Sequence, residues 1–139
     1  MNEQYDFQKN IENMSPEEVT KQEKRIKAMI LPAIELLDFL YDESGDVTYE
    51  TNELTSLCPM TGLPDFYTLR ITYTPARHVP ELKSLKIYLL SFRNIPILHE
   101  HLACRIFDDF HRAVAPRTLK IELDAHVRGG IHASIVKET

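Results

Sequence analysis

The sequence predicts an α+β fold built on an antiparallel sheet, and three observations lead to it. Apolar and polar residues alternate over 66–74 and again over 119–127, which is the period of a strand with one buried face. Between these segments, apolar residues recur at helical spacing over 80–94 and over 99–115. The last stretch of about 90 residues therefore reads strand, strand, helix, helix, strand, strand, an order typical of antiparallel α+β domains.

Length and charge set the class of protein. The chain has 139 residues, which predicts one domain over 1–139, with an N-terminal extension at 1–45 and a core at 46–139. The net charge of −5 does not favour a nucleic-acid partner. No apolar run reaches the roughly 20 residues of a membrane-spanning helix, and the first residues show no secretion signal. We expect a cytoplasmic protein with no membrane partner.

The N-terminal extension predicts one clear helix. Residues 1–14 are polar and predict a loose arm. The tetrapeptide SPEE at 15–18 predicts a helix start, because serine caps, proline suits the first helical position and the second glutamate completes a capping box. Pro32 breaks or kinks this helix. The apolar residues of 34–41 predict either more helix or an irregular apolar segment.

The core begins after a turn at 42–46. Residues 47–57 have strand character, and the loop at 58–65, CPMTGLPD, joins them to the next strand. At the other end of the core, RGG at 128–130 turns a hairpin, since glycine accepts positive φ. An antiparallel sheet of this kind has open edges, and closing a barrel between subunits is one way to remove them.

The two cysteines are the first candidates for chemistry. Cys58 and Cys104 do not make a disulfide framework, and in a reducing compartment each is a free thiol. By residue type Cys58 is most simply a small buried apolar residue, and Asp65 a turn or cap residue. The stiff proline-glycine loop between them favours a second interpretation, because it can hold a nucleophile and a proton donor in fixed relation.

The tripeptide His99-Glu100-His101 is the second candidate. Clustered polar groups can bind the polar edge of a ring, although the helix dipole favours Glu100 in a first turn whatever its role. Both histidines, with Cys58 and Cys104, are also possible zinc ligands. Their spacing matches no standard structural zinc pattern, so we expect no metal.

Two further sets of charged residues each have a simple and a functional interpretation. Glu81, Lys83 and Lys86 form either the solvated flank of an amphipathic helix or a phosphate site at a helix start. Arg128 either belongs only to the hairpin turn or presents its guanidinium to a cofactor phosphate.

Taken together, these segments resemble the NADPH-dependent 7-cyano-7-deazaguanine reductases, the nitrile reductases of queuosine biosynthesis (the QueF family, unimodular type). The resemblance spans about residues 54–136, and the second of its segments fits the family signature E-[SL]-K-[SA]-x-K-x-[YFW]. The segments that carry it are TSLCPMTGLPDF at 55–66, ELKSLKIY at 81–88, SFRN and HE within 91–100, and RGGI at 128–131.

The resemblance implies a tunnelling fold (T-fold), in which ββααββ subunits with helices on one face of the sheet form a barrel by oligomerisation, as stacked pentamers. It also implies NADPH as co-substrate and no metal. The implied site roles are Cys58 as nucleophile, Asp65 as proton donor, Pro80, Glu81, Leu82, His99 and Glu100 as substrate-binding residues, and Lys83, Ser84, Lys86 and Arg128 as cofactor-binding residues.

The implied reaction is the reduction of the nitrile of 7-cyano-7-deazaguanine to 7-aminomethyl-7-deazaguanine, a step toward a modified tRNA base. Cys58 would form a covalent thioimide and Asp65 would supply a proton, with two hydride transfers from NADPH. One alternative is an amidinotransferase, which would let an amine attack the same thioimide on tRNA; the intact 81–88 signature argues against it. Two others are a zinc-dependent cyclohydrolase of the same fold and a non-catalytic purine-binding protein.

Overall fold

The computed structural model describes residues 15–139. The arm predicted at 1–14 lies outside the described residues. No helix within 15–139 is long and apolar enough to cross a membrane. The helices are α1 (Pro16–Lys27), α2 (Leu82–Leu90), which a 3-10 turn (Ser91–Asn94) follows, and α3 (His99–Val114). The strands are β1 (Leu36–Asp38), β2 (Val47–Thr51), β3 (Thr55–Leu57), β4 (Pro64–Thr74), β5 (His78–Pro80), β6 (Thr118–Arg128) and β7 (Ile131–Glu138).

The main sheet has the order β2-β4-β6-β7, and its neighbouring strands pair antiparallel. β4 and β6 form its centre, in a register that runs from Tyr67 opposite Ala125 to Thr74 opposite Thr118. β3 pairs with the beginning of β4 while β2 pairs with its later part. The predicted α+β class and the ββααββ order of the core are therefore confirmed.

One face of the sheet forms the core with the helices. Because side chains alternate along a strand, every second residue of the central pair points to the same side. The buried residues on that side are Tyr67, Leu69, Ile71 and Tyr73 of β4 and Leu119, Ile121, Leu123 and Ala125 of β6. α3 covers them with a buried row that includes Phe110, whose ring meets that of Tyr73 edge-on at 5.2 Å. Ile26 and Ile34 of the extension belong to the same core.

α1 is the helix that the SPEE tetrapeptide predicts. The Ser15 hydroxyl accepts a hydrogen bond from the Glu18 amide at 3.1 Å, which satisfies one of the four free amides of a helix start. At the C-terminal end of α1, open backbone carbonyls are satisfied by a residue of α3: the Arg105 guanidinium donates to the carbonyls of Ile26 (2.8 Å) and Met29 (2.6 Å). The extension is thus fastened to the core by backbone acceptors that a helix end leaves open.

Two strand predictions need correction. Within 34–41, expected to be helical or irregular, Leu36–Asp38 form β1, which pairs antiparallel with β5 of the core. The long-range partner supplies hydrogen bonds that neither segment has alone, so tertiary pairing overrides the local pattern. The single strand predicted over 47–57 is two strands, β2 and β3, because the chain turns between them where the Glu53 amide donates to the Thr51 hydroxyl at 3.1 Å.

The β6–β7 hairpin matches its prediction. Arg128 pairs with Ile131, and the two residues between them, Gly129 (φ 59°) and Gly130 (φ 78°), are both left-handed. Positive φ at both central residues defines the turn whose twist suits a two-residue hairpin, and glycine adopts it without steric cost.

We expect Gly130→Ala to destabilise the protein by about 1 kcal/mol, because a Cβ is strained at positive φ even in open space. Gly45→Ala is the matched control, since Gly45 also has open space around it and lacks a left-handed φ. Chemical denaturation of both variants measures the difference. Equal stability of the two variants would contradict this account of the turn.

Candidate active site

β3 holds the candidate nucleophile between two other segments. On one side it pairs with β4, which places Ser56 opposite Asp65. On the other side Leu57 bonds to the segment that leads into α3: its amide donates to the Ile95 carbonyl and its carbonyl accepts from the Ile97 amide, both at 3.0 Å. The residue that follows Leu57 is Cys58. The end of β3 therefore brings this cysteine to the junction of β4 with the start of α3.

The loop after Cys58 closes on the backbone of the cysteine itself. The Cys58 amide donates to the Leu63 carbonyl and the Cys58 carbonyl accepts from the Gly62 amide, each at 2.8 Å. Gly62 has a φ of 71°, which glycine allows. Below the loop, the buried Ser56 hydroxyl lies 2.9 Å from the Tyr67 hydroxyl. Both amide and carbonyl of Cys58 are thus fixed, as expected of a stiff loop, and the residue is only 5% exposed.

A pocket of about 320 Å³ lies at this junction. It gathers three of the predicted site residues, Asp65, His99 and Glu100, although they come from β4 and α3. The side chains of Phe66, His126 and Ile131 also line it. Cys58 is buried and is not a lining residue in the single chain. The predicted triad of proton donor, histidine and glutamate therefore shares one cavity.

The side chains of His99 and Glu100 are in contact at the first turn of α3. The His99 Nε2 lies 2.9 Å from a Glu100 carboxylate oxygen, and the two side chains are 23% and 61% exposed. The amides of a helix start favour a carboxylate in this turn. Glu100 presents acceptor oxygens to solvent at the pocket, and such oxygens suit the ring N–H donors of a purine-like base.

No sequence motif marks the aromatic pair in the same pocket. The rings of Phe66 and His126 stack, with centroids 6.3 Å apart and an angle of 27° between planes. His126 follows a run of alternating polar residues on β6 and has no local feature that marks it. Only the β4–β6 register, with Tyr67 opposite Ala125, brings it to Phe66.

The signature segment at 81–88 divides into structural and exposed residues. Glu81 caps α2: its carboxylate accepts from the amides of Lys83 and Ser84, both at 2.8 Å, and these bonds lower the pKa of Glu81. The buried Ser84 hydroxyl donates to the Glu81 carbonyl at 2.7 Å and accepts from the Glu35 amide at 2.8 Å. Lys83 and Lys86 are exposed.

Tyr88 completes the structural half of the signature. Its hydroxyl donates to Asp109 of α3 at 2.6 Å, and burial of the ring raises the pKa of Tyr88. Asp109 also accepts from Arg105 at 2.7 Å. Tyr88 therefore joins α2 to α3 and, through Asp109, to Arg105, the residue that bonds to the end of α1.

Three predicted substrate-binding residues are not brought to the pocket, and one predicted cofactor-binding residue has no described side chain. Pro80, Glu81 and Leu82 lie at the start of α2 and do not line the cavity formed by the described part of the chain. Arg128 ends β6, and its side chain lies outside the described residues. Within residues 15–139 no three His, Cys, Asp or Glu residues are grouped to hold a metal ion.

Comparison with known proteins assigns the chain to a family. The family model described as QueF-like protein matches residues 64–139, which is more than half of the chain. The chain belongs to the QueF-like protein family. The family resemblance expected from the motifs is confirmed, and so is the T-fold of the single subunit, which the structural neighbour shares.

Two relatives and one solved structure illustrate the match. An NADPH-dependent 7-cyano-7-deazaguanine reductase of Anaeromyxobacter sp. (strain K) is 50% identical over 90 residues, covering 65% of this chain and 74% of the relative. The enzyme of the same name from Caldicellulosiruptor bescii is 43% identical over 104 residues, covering 74% and 79%. The crystal structure of the archaeosine synthase QueF-Like in the apo form superposes with a TM-score of 0.64 at 26% identity, covering 68% of this chain and 92% of that one.

The lowered pKa of Glu81 gives a pH prediction. Its ionised form is stabilised in the folded state, so its contribution is present above the unfolded-state pKa of about 4.3 and is lost as pH falls through the lower folded-state pKa. Glu81→Gln should therefore be less stable than wild type at neutral pH, and the gap should close as the pH falls through the lowered pKa of Glu81. Urea unfolding across this range measures the gap; a gap independent of pH would contradict the cap.

Proposed function

We propose that this protein reduces the nitrile of 7-cyano-7-deazaguanine to 7-aminomethyl-7-deazaguanine with NADPH, in the biosynthesis of the tRNA base queuosine. The names and 43–50% identity of the reductases above support the reaction. The carrying observation from the structure is that Asp65, His99 and Glu100 share one pocket, beside the strand end that fixes Cys58. The domain is proposed to act as one unit over 1–139.

In this proposal Cys58 is the nucleophile and Asp65 carries the proton. A nitrile carbon is electrophilic, and the thiolate of Cys58 would add to it to form a C–S bond. The proton that the thiol gives up would pass through Asp65 to the nitrile nitrogen, so that the covalent thioimide is neutral. The pairing of Ser56 with Asp65 supports this assignment, because adjacent strands keep the thiol loop and the acid at a fixed separation.

His99 and Glu100 are proposed to hold the deazaguanine. A carboxylate that accepts two ring N–H donors fixes both the position and the orientation of a planar base. The 2.9 Å contact of Glu100 with His99 restricts the carboxylate to part of its rotamer range. Phe66 and His126 add a flat aromatic surface on which such a ring can stack.

NADPH would supply the two hydrides. The first would reduce the thioimide, whose collapse would break the C–S bond, return the Cys58 thiolate and leave an imine; the second would reduce that imine to the amine, with one further proton taken up at the nitrogen. The exposed Lys83 and Lys86 fit its phosphates, since none of the ion pairs among the described residues uses them. Ser84 fits less well as a direct contact, because its buried hydroxyl already makes two hydrogen bonds within the chain. We propose that Ser84 fixes the start of α2, and we keep Arg128 as a candidate for a phosphate contact.

We also propose that the protein is a homo-oligomer, assembled as the stacked pentamers that the family resemblance implies. Pro80, Glu81 and Leu82 are proposed substrate residues, yet they lie away from the pocket of their own chain. A second copy is the direct way to supply them. The 75% exposed Ile131 at the pocket and the 56% exposed Leu82 support such a contact, because large apolar side chains at interfaces are covered on assembly. The proposed cytoplasmic location fits a nucleophile that must stay reduced, because cytosolic thiols are kept reduced.

Nitrile-dependent oxidation of NADPH tests the function. We expect two NADPH consumed per 7-cyano-7-deazaguanine, with turnover lost in Cys58→Ala and kept in the matched control Cys104→Ala, whose thiol lies on α3 in a separate groove. A covalent adduct on Cys58 without NADPH loss would favour the alternative amidinotransferase reaction. If the wild-type protein shows neither a covalent adduct nor NADPH oxidation, the proposal is overturned.

Asp65→Asn tests the proton donor separately from binding. An amide cannot deliver the proton, so we expect kcat to fall by roughly 10²- to 10⁴-fold while the KM for the nitrile changes little. Asp108→Asn is the control, because Asp108 is an exposed residue of α3 that pairs with Lys137. A large rise in KM with an unchanged kcat would instead assign Asp65 to substrate binding.

A further inference from the structure

α1 lies against the segment that carries the proposed substrate-binding pair. The Gln22 side-chain amide donates to the Pro96 carbonyl at 3.2 Å. The next residue, Glu23, makes two shorter contacts: one carboxylate oxygen accepts from the Leu98 amide and the other from the His101 Nδ1, both at 2.8 Å. Leu98 and His101 are the residues on either side of His99 and Glu100.

Glu23 is buried, with its side chain only 6% exposed. A buried carboxylate is costly unless both oxygens find donors, and here both do. The donors are specific to one place in the fold. Leu98 is the N-cap residue of α3 and has no side-chain cap of its own. His101 is the third residue of the helix.

These two positions are those that a capping box would join. In a capping box, a glutamate at the third helical position reaches back to the amide of the N-cap residue. In α3 that third position is a histidine, which donates instead of accepting. Glu23 supplies the missing carboxylate from another helix and binds both the N-cap amide and the histidine ring. The geometry of the first turn of α3 is therefore set from the N-terminal extension.

We propose that Glu23 is a positioning residue for substrate binding: it fixes the turn from which His99 and Glu100 reach the pocket. The proposal rests on the proposed function for its kinetic readout. Glu23 does not line the pocket, so its effect would pass through the backbone of Leu98 and the ring of His101. A shift of the first turn would move both side chains of the pair together.

Steady-state kinetics of Glu23→Ala and Glu23→Gln test this. We expect Glu23→Ala to raise the KM for 7-cyano-7-deazaguanine roughly ten-fold, the effect of losing a charged hydrogen bond, and to leave the KM for NADPH unchanged. Glu23→Gln keeps an acceptor for the Leu98 amide and should restore the KM to within about three-fold of wild type. If Glu23→Ala does not fold, Glu23→Asp takes its place: the shorter carboxylate cannot span both donors and should also raise this KM above that of Glu23→Gln.

Arg105→Ala separates positioning from simple loss of stability. Arg105 also ties α1 to α3, yet its bonds go to the carbonyls at the end of α1 and to Asp109, away from the first turn of α3. It should lower the melting temperature without changing the KM for the nitrile. An equal rise in KM in Arg105→Ala and Glu23→Ala would overturn the proposal, as would an unchanged KM in Glu23→Ala.

Hydrogen exchange of the Leu98 amide gives a readout that needs no activity. In Glu23→Ala this amide loses its acceptor and should exchange at least ten-fold faster than in Arg105→Ala. Unchanged exchange at Leu98 would refute the role of Glu23 even if the enzyme is active. A third outcome separates the two proposals. If the Leu98 amide exchanges fast in Glu23→Ala but the wild type does not reduce the nitrile, the role of Glu23 in setting the turn is supported and the proposed function is refuted.

Discussion

The candidate site depends on the two backbone hydrogen bonds of Leu57 to Ile95 and Ile97. They join β3, which ends at the cysteine, to the segment that leads into α3. Without them the Cys58 loop and the His99–Glu100 turn would belong to separate parts of the chain, with no fixed distance between them. This contact is parallel and nearly 40 residues apart in sequence, so it exists only because the sheet and α3 already hold both segments.

The signature segment shows why a sequence motif is not a list of contacts with substrate. Glu81 caps α2, Ser84 ties the helix to the extension, and Tyr88 ties it to α3. Each of these residues uses its polar side-chain atoms for hydrogen bonds within the chain, although such atoms in a motif are usually assigned to ligand binding. The two lysines of the same segment are exposed. Half of this motif therefore builds the helix that presents the other half, and a substitution in either half would lower activity for a different physical reason.

The parts of the fold that the sequence predicts are those with a local signal. The alternation of 66–74, the helical row of 99–115 and the two glycines of the hairpin each specify their element within a few residues. The sequence does not predict β1 and β5, because each is a short strand whose hydrogen-bond partners come from the other. In the site, Asp65, His99 and Glu100 were identified by motif and share the pocket. His126 and Glu23 were not, because strand register brings His126 to the pocket and helix docking brings Glu23 to the start of α3, and sequence spacing encodes neither.

The N-terminal extension carries no motif, yet it contacts both helices on which the proposed chemistry depends. Glu23 bonds to the start of α3 and Glu35 bonds to Ser84 at the start of α2. A helix start is the part of a helix with unpaired amides, so it is where an outside residue can fix the direction of the chain. The proposed substrate pair and the proposed cofactor lysines each lie within one turn or two of these contacts. The extension thus sets the relative placement of the two helix starts, and this gives a physical reason for a segment without catalytic residues to matter to catalysis.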